Sequence, residues 1–594
     1  MGVLGKAFEG RSYVRPGSRG KFRAKDQIPG DSVDLFTQLI IGQADNGVNC
    51  NDTNLPDDER YYIFYSFDEA KKVLGGGELL EAIMLADTPS SEDDFAPGPQ
   101  RFIALNTRAN VAASASIPSL KSGQSHTLTF PIPGPKGKKV RFRKTVATKQ
   151  IEIGDNEGIL TSPALEQKVL TISYSGDATS AILSVNGTAL IVTLAGQNDG
   201  SLSLSVPFAD YPTAIEAVDY INSIPFYTAS MMSNATFLMS NLDHVETEDA
   251  ISVKSPAIAT AYADLFAEKN WIESTGFAVF TTAATVKKPF ANNTIFTYLT
   301  TGGTTGTEGV TAVKDAITFA KKIPAMYRNI LASSLSDKVH FKTACYDMIS
   351  PDGGKETIGG CGGDLSLSVD ARREEARTLG VYWMNYGLEK FVAFDLAGNQ
   401  KTYPGYMLSV LDNAISAANS PRHSPTWKAL NILKSAENLI DSVRDASIRD
   451  GALVLTKNPE NGAMIIERSV TTERKDNLVL NEKNSVAVAL TMVRELRQGF
   501  NSRFIGRSTV DENAKVQGVT VADVQGYVEQ RLQSFVEKGY LVGSSKLGVD
   551  AFLRDFIIEV DGDTWFFRKL DGIVTSPINF IFYILSLDTL KGSA

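Results

Sequence analysis

The chain has 594 residues, 43% hydrophobic and 21% charged, with a formal net charge of −9. Such ordinary proportions exclude a disordered or fibrous chain, the length favours roughly three to four domains, and the acidic balance argues against general nucleic-acid binding, which leaves a basic excess. Three scattered cysteines, Cys50, Cys345 and Cys361, make no disulfide framework and fit a reducing compartment, and no apolar run approaches the roughly 20 residues of a membrane helix.

Residues 1–25 carry Lys6, Arg11, Arg15, Arg19, Lys21, Arg23 and Lys25 against Glu9, with little apolar periodicity. They read as an arm, either a frayed basic tail or a segment that docks on a partner. The absence of an apolar h-region predicts no secretory signal. A first core segment, 26–111, opens with DLFTQLIIGQADNG, a buried strand ending in a glycine turn. YYIFYSFDEAKKVLGGGELLEAIMLA follows as strand, helix, glycine break and helix.

From 112 to 245 short alternating runs such as HTLTFPI, KVLTISYSG and AILSVNGTALIVTLAG predict an inserted β-rich domain. Asn186-Gly187 is a hairpin turn in which both residues tolerate positive φ. Thr213 and Glu216 form a capping box, with Ile215, Val218 and Ile221 on one helical face. The basic stretch PGPKGKKVRFRK, Lys136 to Lys144 with Phe142, reads as a solvated edge strand rather than a nucleic-acid patch.

Residues 246–470 alternate helix and strand patterns, which predicts an α/β layered second part of the core. TWKALNILKSAENLIDSVRDASIRD reads as one long polar helix whose Lys428–Asp450 portion carries Lys434 and Arg444. It is either an ordinary solvated helix or a surface holding a partner by weak charged contacts. A C-terminal α+β domain, 471–577, contains the helices SVAVALTMVRELRQGF and TVADVQGYVEQRLQSFVEKG. In the terminal segment 578–594, Ile578, Phe580, Phe582 and Ile584 share one face of an extended chain that is apolar on both faces. Such a strand is either the last core strand or one supplied to a neighbour.

Chemical motifs are weak. TTGGTTGTEGVTAVKDAI, Thr300 to Ile317, has glycines before a helix but no lysine at the Walker position, and Glu308 would repel phosphate. The four histidines lie beside no nucleophile motif, and His340, Cys345 and Cys361 lack zinc knuckle spacing. No catalytic, metal or cofactor-binding residue is assigned, and no cofactor is expected.

The ordered series DLFTQLIIGQADNG with its following helices, the β-rich module ending YPTAIEAVDYINSIPFYTA, YLTTGGTTGTEG, GAMIIERSVTTER and ADVQGYVEQRLQSFVEKGYL resembles the tail sheath proteins of contractile-tailed bacteriophages. The resemblance implies a subtilisin-like, non-catalytic α/β core with a β-rich inserted domain and extended terminal arms; the self-contained strand pattern of that domain leads us to expect it on the outside of the assembly. It further implies a homo-oligomer of stacked six-fold rings around a tail tube protein, meeting baseplate and tail terminator proteins. Such a sheath, assembled in the host cytoplasm and carried in the virion, contracts from a metastable extended state without consuming nucleotide. No direct nucleic-acid contact and no membrane insertion are implied. The intersubunit arm candidates are then Tyr13, Val14, Phe22, Ile578, Phe580, Phe582 and Ile584, and Lys434 and Arg444 are tube-facing candidates. Because only Asp588 to Ala594 follow the apolar run, either that run is the exchanged strand or the C-terminal arm is very short.

Overall fold

The computed structural model describes residues 6–8, 11–13, 36–92, 98–282, 284–350, 353–475, 477–509, 518–553, 556–561, 564–568, 570–577 and 579. They form mixed α and β structure in two compact units. The first comprises the chain up to Ala44, Val48–Arg108 and Glu308 onward. The second is Asp45–Gly47 with Ala109–Thr307.

The first unit is built on a six-stranded sheet in the order Met384–Gly387, Ile358–Gly362, Tyr327–Ile330, Thr37–Gly42, Arg101–Asn106, Tyr62–Phe64. The first five strands run parallel and Tyr62–Phe64 runs antiparallel at the edge. A parallel sheet must be covered on both faces, and the side-chain period of two divides its strands accordingly. Ile40, Phe102 and Ala104 enter a core with helices Phe67–Leu74, Glu78–Asp87 and Gly405–Ala418. Leu39, Ile41, Ile103 and Leu105 enter another with Ala312–Ala320, Leu335–Ile349 and Val369–Leu379.

Gly405–Ala418 is the central helix, buried from Gly405 to Ala417. Its approach depends on glycine: a Cβ at Gly362 would lie 2.6 Å from Tyr406 backbone, and one at Gly387 would lie 1.9 Å from the Gly405 oxygen. Farther on, helix Lys483–Arg503 has two apolar faces. Val486, Ala487, Leu490 and Val493 pack on Tyr327 and Ile358. Val488, Met492 and Leu496 pack on Tyr527, Val528, Leu532 and Phe535 of helix Val521–Glu537. Thr520 and Asp523 cap the latter reciprocally, and Gly539, at φ 71°, follows it.

The second unit consists of antiparallel sheets around two cores. It runs to Thr307, past the expected boundary at 245. The reason is long-range pairing that local texture does not disclose. Ala259–Tyr262 joins Lys168–Tyr174, Asn293–Tyr298 joins Arg141–Thr145, and Thr301–Thr304 joins Val111–Pro118. The basic strand Arg141–Thr145 is an interior strand, with Gln150–Gly154 on its other side, so its expected edge position is corrected. Alternation explains how an interior strand tolerates the charge: Phe142 and Lys144 point into the core, where Lys144 pairs with buried Glu268, and Arg143 pairs across the sheet with Glu152 at 2.5 Å.

Two smaller expectations also differ. The 186–187 hairpin forms, yet neither residue has positive φ; the Asn186 side chain instead accepts hydrogen bonds from the Thr188 and Ala189 amides, both at 2.8 Å. In helix Ala214–Ser223 the capping box is present, but Ala214, Ala217, Val218 and Ile221 are buried while Ile215 is exposed.

Candidate assembly surfaces

The residues best suited to chemistry are sealed inside the first unit. Asn329 Oδ1 accepts from Gln38 Nε2 (2.8 Å) and Asn413 Nδ2 (3.1 Å). Asp412 accepts from Asn385 Nδ2 (2.6 Å), Ser469 Oγ (2.7 Å) and Lys483 Nζ (2.5 Å). All of these side chains are fully buried, so the set cannot meet a substrate and instead fixes the central helix on the sheet. Cys345 and Cys361 lie in the apolar core, where burial pushes both thiols up to about 12, and His340 Nε2 lies 3.2 Å from the Thr318 hydroxyl. Among the described residues no cluster of His, Cys, Asp or Glu has the makings of a metal site, and no helix is long and apolar enough to cross a membrane.

The glycine stretch before helix Ala312–Ala320 turns the chain, with Gly302 at φ 71° and Gly303 at φ 59°. In the first unit, the Glu308 carboxylate is engaged by the Thr107 hydroxyl and by Gln43 Nε2 at 2.9 Å. That carboxylate stands where a phosphate cradle would need positive charge.

The long helix expected over Lys428–Asp450 is not formed; the helix spans only Asp441–Arg449. Residues 429–435 are drawn into extended pairings: Ala429 with Ile465, Leu430 with Ser90, and Lys434–Ser435 with Phe391–Val392. The Ser435 hydroxyl then accepts from the amides of Glu437 (3.1 Å) and Asn438 (3.0 Å), and Asn438 has positive φ. A serine turned on its own backbone competes with helix, and tertiary pairing overrides local propensity.

Lys434 and Arg444 therefore occupy different elements. Lys434 is exposed at the edge of a three-stranded sheet, on the short strand Lys434–Ser435. Arg444 is half-buried, 2.9 Å from Glu467 and 2.6 Å from Asp441, and donates to the Leu439 carbonyl at 3.1 Å. Other charges expected on that surface are also consumed internally: Glu437 receives a two-pronged contact from buried Arg372, and Asp450 is held by Arg373 and Arg377. These arginines keep both carboxyls below the usual range against the opposing effect of burial. Arg373, Ser442, Asp445, Ala446, Arg449 and Asp450 line an open, polar cleft.

At the N-terminal end, Arg11–Tyr13 forms a two-stranded antiparallel hairpin with Lys6–Phe8, placing Tyr13 opposite Lys6. Val14, Phe22, Ile578, Phe580, Phe582 and Ile584 lie outside the described residues. Asn579 donates to Glu482 at 2.9 Å.

Sequence reasoning singled out no residue of the hairpin Ile557–Asp561 with Thr564–Arg568. Ile557–Asp561 and Thr564–Arg568 pair antiparallel, and Ile557 and Val560 are exposed. Its signal was present in IIEVDGDTWFFR, two β-prone runs around Asp561-Gly562.

No protein-family model and no curated protein sequence matches the chain. A crystal structure of a sheath tail protein from Desulfitobacterium hafniense matches with a TM-score of 0.50 and 10% identity, over 94% of this chain and 97% of that one. A sheath tail protein from Listeria innocua matches at 0.47 and 11% identity, over 93% and 94%. The first match shows that the chain has the fold of a sheath tail protein, over nearly its whole length.

Proposed function

We propose that the protein is the structural subunit of a bacteriophage contractile tail sheath. The observation that carries this reading is the fold shared with a sheath tail protein across 94% of the chain. The sealed polar cluster supports a non-enzymatic role, because its hydrogen bonds are made among buried groups. The parallel sheet covered by helices on both faces is consistent with a subtilisin-like core without catalytic function.

In this reading the subunits stack as six-fold rings around a tail tube protein, between baseplate and tail terminator proteins, in a metastable extended state. Contraction drives the tube through the host envelope. The terminal segments link neighbouring subunits by strand addition. Assembly takes place in the host cytoplasm and the product is part of the virion.

Electron microscopy of the purified protein tests this directly. Wide hollow tubes are expected. Shells or thin solid filaments would favour the second reading, another self-assembling virion component.

A further inference from the structure

The basic stretch Lys136–Lys144 is not accounted for by sheath assembly. Six cations lie within nine residues; of these, Lys144 pairs with Glu268 in the core and Arg143 with Glu152 on the sheet face. Lys138, Lys139 and Arg141 have no carboxylate within ion-pair distance among the described residues. Lys138 and Lys139 are exposed.

Their placement is built. The Lys138 stem lies over Gly303, where a Cβ would come within 2.8 Å of its Cγ. Arg141 is set on the Phe296 ring, 5.0 Å from its centroid, and Nη1 donates to the Tyr298 hydroxyl at 3.3 Å. An aromatic seat beneath a guanidinium fixes its plane while leaving edge N–H groups for an oxygen anion.

We propose that Lys138, Lys139 and Arg141 form a binding surface for an acidic polysaccharide, recognised through its carboxylates. Charge complementarity selects an anionic partner. The aromatic geometry disfavours single-stranded nucleic acid: the Phe296 ring already carries the guanidiniums of Arg141 and Arg143, the latter at 4.5 Å, so it does not offer a free platform for a base. A row of repeated anions on a flexible sugar chain matches three cations on one short segment without requiring stacking. This inference does not depend on whether the subunit forms tubes.

The test uses the full-length protein and immobilised alginate, with neutral dextran and a single-stranded DNA oligonucleotide as the other probes. Binding to alginate is expected, weakened by salt and stronger than to either alternative. It should fall by about tenfold or more in Lys138→Gln/Lys139→Gln and, separately, in Arg141→Gln, while Lys269→Gln is unaffected. The double lysine variant changes only exposed side chains, so it keeps the test valid should Arg141→Gln unfold; circular dichroism checks each. No alginate binding, equal binding to dextran, tighter binding to DNA, or unchanged affinity in the lysine variant would each overturn the proposal.

Discussion

Lys483 begins the helix that runs to Arg503 and places its Nζ 2.5 Å from Oδ2 of Asp412 in the central helix, with neither side chain exposed to solvent. Burial lowers the Lys483 pKa and the facing carboxylate opposes that shift. The pair joins the start of the C-terminal helices to the middle of the α/β body. Fourteen residues farther along, Arg497 forms a second buried pair with Glu356. The helix is thus fastened to that body near both ends.

Removing either partner of a buried pair strands the other, but the two removals differ here. Asp412→Ala leaves Lys483 unpaired and also takes an acceptor from Asn385 and Ser469, so it should cost about 3–5 kcal/mol. Lys483→Met leaves Asp412 with those two donors and should cost less. Urea unfolding midpoints give the order, and an equal or reversed order would contradict this account of the network.

Lys434 and Arg444 should separate cleanly in stability. Lys434→Glu changes an exposed side chain and is expected to alter stability by no more than about 0.5 kcal/mol. Arg444→Glu sets a third carboxylate beside Glu467 and Asp441 and removes a donor to Leu439, costing roughly 1–2 kcal/mol. Thermal unfolding of the two single variants decides it; matching shifts would show that Arg444 is not tied into the fold as described.

Glu389 supplies a pH test. Burial, reinforced by nearby Glu437, raises its carboxyl from 4.5 to about 7, despite hydrogen bonds from the Ser435 hydroxyl and the Leu455 amide. The folded form therefore retains a proton that the unfolded chain releases near 4.5. The stabilisation linked to that proton is complete below this value and is lost as pH rises through about 7. Glu389→Gln does not titrate; its oxygen can accept from the Leu455 amide while its Nε2 donates to the Ser435 hydroxyl oxygen, so wild type should lose roughly 1–3 kcal/mol relative to it between pH 4.5 and 8. Parallel stability profiles across that window would remove the assignment.

The expected domain cut at 245 would sever strand pairs, whereas Arg108 and Glu308 form an antiparallel bridge within the first unit. Replacing Ala109–Thr307 by a short Gly/Ser linker thus joins two adjacent chain ends. The product is expected to unfold cooperatively and to retain tube formation, as read by calorimetry and microscopy. A folded product that no longer assembles would place an assembly contact in the inserted unit.

Local signals were legible where neighbouring residues determine the structure. The strand at Thr37–Gly42, the helices flanking Gly75–Gly77, and the cap at Thr213 follow from short-range pattern and hydrogen-bonding chemistry. Partner choice was less legible. Nothing adjacent to Arg141 reveals that Asn293–Tyr298 will cover the strand's second edge, and nothing around Leu430 announces its pairing with Ser90. The assembly candidates suffered from the same limitation: Arg444 looked like a surface charge because Glu467, its partner, lies 23 residues away in sequence.

Cryo-electron microscopy with helical reconstruction of the full-length protein, co-expressed with a phage tail tube protein, most directly tests the proposed sheath assignment. A wide hollow tube of six-fold rings around an inner tube is expected, with the α/β body and the C-terminal helices of each subunit fitting the density as described. A monodisperse monomer under all assembly conditions, or a closed shell without an inner tube, would contradict it.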